Sequence, residues 1–219
     1  MLPEWTGSAT PLRELQEQLA QRVLLRDGFP KPIRTIAGFD VGFEDGGAVT
    51  RAAAVLLDAD TLTVIDHRIV RLPTRMPYVP GLLGFRELPA MLAALDVLPL
   101  RPDLAFIDGH GTAHPRRFGS ACHFGVAADL PTIGIGKSIL TGTSRLELHA
   151  MRGAFTPLRD GTTQIGWLLR SKPGVHPIVV SPGHRVAMAS APGLAMQFTT
   201  RYRLPEPIRL ADRLASQHD

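Results

Sequence analysis

Two aspartates interrupt apolar runs where a carboxylate is expensive. Asp40 sits inside AGFDVGF (37–43), and Asp108 ends LAFID (104–108), just before Gly109. An ionised carboxylate among aliphatic side chains is costly unless a partner or a cation compensates it. If the two runs are neighbouring strands, the carboxylates converge at one sheet edge, repel each other and recruit a hard divalent cation. Magnesium suits such a site, because it takes oxygen ligands and keeps waters for a substrate phosphate. A cation held there can activate a water and stabilise a leaving oxygen. The competing reading is that Asp40 closes its strand and Asp108-Gly109 is a common turn pair. Glu87, in FRELPAML (85–92), reads from spacing alone as a solvated helix position.

The segment HGTAHPRRFGSACH (110–123) gathers His110, His114, Cys122 and His123. Zinc is the obvious candidate for such a set. Gly111 and Pro115 nevertheless take the first pair out of any helix, and the adjacent Cys122 and His123 point to different faces. A histidine near a phosphate, a partner for Asp108, or plain loop histidines fit better. Arg116, Arg117 and Lys137 follow strand ends, which in a parallel sheet open on one crevice. There Lys137 would neutralise charge building on a phosphate, unless it is an ordinary solvated lysine. Arg201, Arg203, Arg209 and Arg213 would track a nucleic-acid backbone or line a soluble helix face. Pro77-Tyr78-Val79-Pro80 is a stiff aromatic tip. It would wedge between bases when a nucleotide is flipped, or pack over its loop.

The elements that must position these residues are legible in outline. Residues 12–26 carry leucines and a valine at helical spacing, with Pro11 in the first turn and Ser8 or Thr10 as cap. Runs at 34–43, 48–58 and 61–72 follow, the first two joined by a Gly-Gly turn, and predict an antiparallel meander. A helix over 81–98, a buried strand at 103–108, a helix near 119–129 and a strand at 132–136 predict parallel strands with crossovers. Further strands are expected at 162–170 and 176–181, and helices near 186–199 and 207–217. Three antiparallel strands followed by helix-alternating parallel ones is the order of the RNase H-like α/β fold: a central mixed sheet flanked by helices. In that topology the first and fourth strands lie side by side.

The totals agree. The chain has 219 residues, 44% hydrophobic and 20% charged, enough for one good-sized core, so a single domain over 1–219 is expected. A net charge of +4 fits a polyanionic partner without requiring one. With Cys122 alone, no disulfide can form within the chain, which points to a reducing compartment. No secretory signal and no stretch long enough to span a membrane is visible. The expectation is a cytoplasmic monomer without a membrane partner.

Several blocks, in this order, resemble the endonuclease V family: AGFDVGFEDGG (37–47), TRAAAVLL (50–57), MPYVPGLLGFRE (76–87), PDLAFIDGHGTAHPRRFGSACHFG (102–125), PTIGIGKS (131–138), HPIVVSPGHR (176–185) and YRLPEPIRLAD (202–212). Each is modest alone, and their joint order and spacing are specific. The resemblance implies an RNase H-like nuclease that uses magnesium or manganese. It would hydrolyse the second phosphodiester bond on the 3′ side of an inosine (deaminated adenine) in DNA and so initiate repair. It implies that Asp40 and Asp108 are metal ligands, that Glu87 and Asp212 complete the acidic cluster, and that Lys137 is the active-site lysine. It places Tyr78, between Pro77 and Pro80, in the wedge. It implies a base pocket of backbone near Gly81, Leu83, Gly109, Gly111 and Leu140, with His114 close by. Inosine-containing RNA as the main substrate, or a non-catalytic nucleic-acid binder on the same fold, are the alternative readings. The intact acidic positions speak against the latter.

Overall fold

A computed structural model describes residues 5–216. The last residue of the helix expected over 207–217 lies outside them. In chain order the elements are α1 (Thr10–Ala20), β1 (Thr35–Glu44), β2 (Val49–Asp58), β3 (Val64–Pro73), α2 (Leu83–Asp96), β4 (Leu104–Asp108), α3 (Ser120–Ala128), β5 (Thr132–Gly136), β6 (Phe155–Asp160), β7 (Thr163–Leu169), β8 (Ile178–His184), α4 (Ala191–Gln197) and α5 (Glu206–Ser216). One eight-stranded sheet runs β3-β2-β1-β4-β5-β8-β7-β6. The β1–β2 and β2–β3 pairs are antiparallel, while β1–β4 and β4–β5 are parallel. This is the RNase H-like mixed sheet, with β1 beside β4 at its centre.

Strand alternation sorts the side chains into two layers. Ile36 on β1 and Leu104 and Phe106 on β4 face a core shared with α4 and α5, through Leu194, Phe198, Ile208 and Ala211. Ala37 and Phe39, with Ala105 and Ile107, face the opposite core under α2 and α3. That parity decides the chemistry. Asp40 falls in step with Ile36, and Asp108 in step with Leu104 and Phe106, so both carboxylates belong to the α5 face. Gly38 lets α5 seat there: a Cβ on it would lie 1.9 Å from the Pro207 carbonyl oxygen. No helix among the described residues is long and apolar enough to cross a membrane.

Besides shifts of element ends, such as the helix expected near 186–199 that spans Ala191–Gln197, the structure departs from the expected elements in three places. The first helix ends at Ala20 rather than near residue 26. Tertiary bonds draw the following segment to the end of β8: the Leu24 N–H donates to His184 Nδ1 at 3.3 Å, and its carbonyl accepts the Arg185 N–H at 2.7 Å. Neither Ser8 nor Thr10 caps that helix, whose N-cap position is Ala9. Finally, β6 was not expected. It carries Pro157 and occupies the sheet edge, where a residue without an N–H is tolerated.

Candidate active site

The parallel register pairs Phe39 with Ile107, so the next residues, Asp40 and Asp108, lie side by side where the β1–β4 pairing ends, each still paired to its other neighbour strand. Asp212 arrives from α5 on the same face. One carboxylate oxygen from each of Asp40, Asp108 and Asp212 lies within 4.8 Å of the others. Lys137, one residue past β5, closes the group. Its Nζ stands 2.5 Å from Asp108 Oδ2 and hydrogen-bonds Asp212 Oδ1. The Asp108 contact is a close ion pair that favours the charged form of both groups.

Glu87 reaches the cluster from the other layer. It sits on α2, only 7% exposed, and its Oε2 accepts a hydrogen bond from Ser120 Oγ at 3.1 Å. The solvated position read from its spacing is thus corrected: α2 packs this face onto α3 and the strand ends.

The electrostatics follow from burial. Desolvation, then the neighbouring Asp108, pushes Asp40 up to about 7. Desolvation raises Glu87 to about 8, against the Ser120 hydrogen bond. Burial also raises Asp108, although Lys137 opposes it. Burial disfavours the Lys137 ammonium, but Asp108 and Asp212 outweigh that and hold it above the usual lysine range. One ammonium therefore leaves the acidic group under-compensated. An all-oxygen donor set with excess negative charge fits a hard divalent cation, with Asp40, Asp108 and Asp212 as its holders.

A second constellation lies beside it. Tyr78 is 63% exposed, between flanks anchored in a small core of Leu12, Met76, Leu82 and Phe85, with Val79 packed against it. Gly81 follows with φ +77°, where a Cβ would meet the Arg116 guanidinium at 2.7 Å. Its carbonyl accepts from Gln16 Nε2 at 3.1 Å and Arg116 Nη2 at 2.8 Å. The buried His114 ring faces Gly81, and its Nδ1 accepts the Arg116 N–H at 3.2 Å. Burial, then Arg116, lowers His114 to about 4, so the ring is neutral. Leu83 opens α2 half-buried, Gly109 turns out of β4 with φ +133°, and Leu140 stands exposed on the loop after β5. Gly111 is already committed, its N–H donating to Ser181 Oγ at 2.9 Å and its carbonyl accepting from the Gly119 N–H.

Several partners were missed by sequence reasoning, because their bonds join distant segments. They are Gln16, Ser120 and Ser181. The Arg116 and Arg117 side chains brace the fold: Arg116 holds Gly81, and Arg117 pairs with Asp160 at 2.7 Å. The zinc reading finds no support among the described residues. His123 packs edge-on against Phe85, with ring centroids 4.5 Å apart, and Cys122 is fully buried with its thiol pushed up by desolvation.

Comparison with known proteins agrees with this geometry. The family model described as Endonuclease V matches residues 17–213. An Endonuclease V of Azotobacter vinelandii is 60% identical over 98% of this chain and 96% of its own. A crystal structure of the Endonuclease V from Streptomyces avermitilis superposes with a TM-score of 0.90 at 43% identity, covering 98% of this chain and 92% of that one. A Ciona intestinalis Endonuclease V in complex with a 24mer DNA containing an inosine followed by a ribo-adenosine shares the fold, with a TM-score of 0.81 at 24% identity over 94% of this chain and 95% of that one. With the family model spanning Asp40, Asp108, Lys137 and Asp212, and with such relatives along nearly its whole length, the chain belongs to the endonuclease V family of nucleases.

Proposed function

We propose that this nuclease is divalent-metal-dependent, that it recognises inosine in DNA, and that it hydrolyses the second phosphodiester bond 3′ to the lesion, initiating repair. The observation that carries the reading is the convergence of Asp40, Asp108 and Asp212 within 4.8 Å, with Lys137 closing the group. Asp40, Asp108 and Asp212 would hold a magnesium or manganese ion, which would supply an activated water and charge stabilisation at the leaving oxygen. Glu87, held by Ser120 and pushed toward its neutral form by burial, offers a proton-transfer site behind the cluster. Lys137 turns its ammonium from the aspartates to the incoming phosphate and stabilises charge that builds there. The relative crystallised with inosine-containing DNA supports an inosine strand as substrate.

In this reading Tyr78, stiffened by Pro77 and Pro80, fills the gap left by a flipped base. The backbone near Gly81 and Gly109, with Leu83, His114 and Leu140, encloses the base. Gly111 contributes by packing. Hypoxanthine offers a 6-oxo acceptor and an N1–H donor, so main-chain groups distinguish it from adenine, which has the opposite polarity at both atoms. Guanine matches at both atoms and is excluded only by a close wall at its 2-amino group.

The test uses single-stranded oligonucleotides with inosine, guanine or adenine at one position, in magnesium. Nicking on the 3′ side of inosine alone is expected. Equal cleavage at guanine, or cleavage in EDTA, refutes the reading. Matched DNA and RNA inosine strands then show which sugar the enzyme prefers.

A further inference from the structure

Beyond the acidic cluster, on the far side of Lys137, lies a cleft of about 450 Å³. Lys137, Ser138 and Ile139 form one wall, Leu168 and Val179 the floor, and His176, Pro177 and Arg203 the other side. We propose that this cleft receives an unstacked nucleobase of the cut strand, from a nucleotide adjoining the scissile phosphate. The proposal rests on the nuclease reading above and extends it to a site on the same strand.

Continuity is the first argument. Lys137 belongs to both places: its ammonium lies against Asp108 and Asp212, and the same side chain borders the cleft. A strand whose phosphate replaces those aspartates as the Lys137 partner must lay a neighbouring nucleotide across this opening.

Chemistry is the second. Ile139, Leu168, Pro177 and Val179 give the cleft its apolar surface, and Ile139 leaves 48% of its surface open to water. Cations, by contrast, sit at the rim, in Lys137 and Arg203, beside the His176 imidazole. Apolar walls with a cationic edge match a flat base attached to a phosphate. Single strands are commonly read by splaying a base out and stacking it on His or Arg planes.

Pre-organisation is the third. Arg203 bolts the two sides together. Its Nη2 donates to the Lys137 carbonyl at 2.5 Å and the Pro177 carbonyl at 3.1 Å, and its Nε donates to the His176 carbonyl at 2.9 Å. One guanidinium thus fixes the end of β5 against the turn before β8. A cleft already held open costs little ordering when a ligand enters.

The test is an abasic scan. Single-stranded inosine oligonucleotides carry a tetrahydrofuran abasic residue at successive positions 3′ to the inosine, and binding is followed by fluorescence anisotropy in calcium. The wild-type chain should bind one of them roughly tenfold more weakly than the full strand, the scale of one lost stacked base. Ile139→Trp fills the cleft from an exposed position and should fold normally. It should bind the full strand more weakly and lose the penalty at that one abasic position. Ile139→Ala should keep the penalty. If the wild type tolerates every abasic position equally, or if Ile139→Trp retains the full penalty, no base occupies the cleft. Failure of the nuclease reading looks different: inosine then confers no binding preference on the intact oligonucleotide.

Discussion

The acidic cluster and the Tyr78–Gly81 loop lie side by side and are built by opposite means. Each carboxylate of the cluster stands on regular structure: Asp40 and Asp108 on paired strands, Glu87 on α2, Asp212 on α5. Strand parity and helix packing place them, and their mutual repulsion is tolerated because the sheet holds them. The loop has no such frame. Gln16, 2% exposed, reaches from α1 to the Gly81 and Phe118 carbonyls, and Arg116 grips Gly81 from the other side. The first region stores electrostatic tension in a rigid scaffold, whereas the second makes a scaffold out of polar bonds. Damage to the first should therefore spare the fold and stop chemistry. Damage to the second should loosen recognition and leave chemistry running.

The largest effect tests the first half. Asp40→Asn should abolish nicking, because it removes a charge the cation needs, while the protein stays folded. Its stability without metal sharpens the point. In the wild type the folded-state pKa of Asp40, about 7, lies above the ordinary 3.8. The neutral carboxyl therefore supports the fold below that ordinary value, and the support is lost as pH rises through about 7. In EDTA, Asp40→Asn should melt a few degrees above the wild type at pH 8, with the gap closing at pH 4. The buried histidines are common to both proteins, while Glu87 loses a negative neighbour in the variant, which adds to the gap at pH 8. Normal nicking, or a gap that does not depend on pH, would contradict the account.

Next in size, Lys137→Ala should slow single-turnover nicking by about 10²–10³-fold, as for loss of a donor aimed at developing charge. Binding in calcium should change far less. A pure binding defect would make Lys137 a backbone contact.

The loop side should answer differently. Gln16→Leu strips a donor from two carbonyls and should cost about 2 kcal/mol of stability. Inosine-strand affinity should fall several-fold while the rate at saturating substrate holds. If that rate collapses instead, the two regions are one mechanical unit and the comparison breaks.

The smallest effect belongs to Tyr78→Ala. The side chain is mostly exposed, so melting should not change. Duplex cleavage should drop by about fivefold and single-strand cleavage by about twofold at most, because only a duplex leaves a gap to plug. Equal losses on both substrates would mean that Tyr78 holds the loop rather than the helix.

What the chain alone determined is what repeats along it. The apolar runs AGFDVGF and LAFID marked two buried strands, and an aspartate in each marked the metal-type site. The block order around them marked the family. Short-range signals suffice there, because a strand's side-chain parity is a local property. Other features were decided only by contacts between distant segments. Glu87 looked solvated until α2 was laid on α3. The first helix looked longer until β8 claimed Leu24. Arg116 was placed at a strand end and Arg203 in a basic run, but the carbonyls they hold came only with the fold, and Gln16 carried no local signal at all. Those outcomes rest on which backbone carbonyls lack a donor once the sheet has formed, and a buried carbonyl takes whatever donor the tertiary fold brings near it.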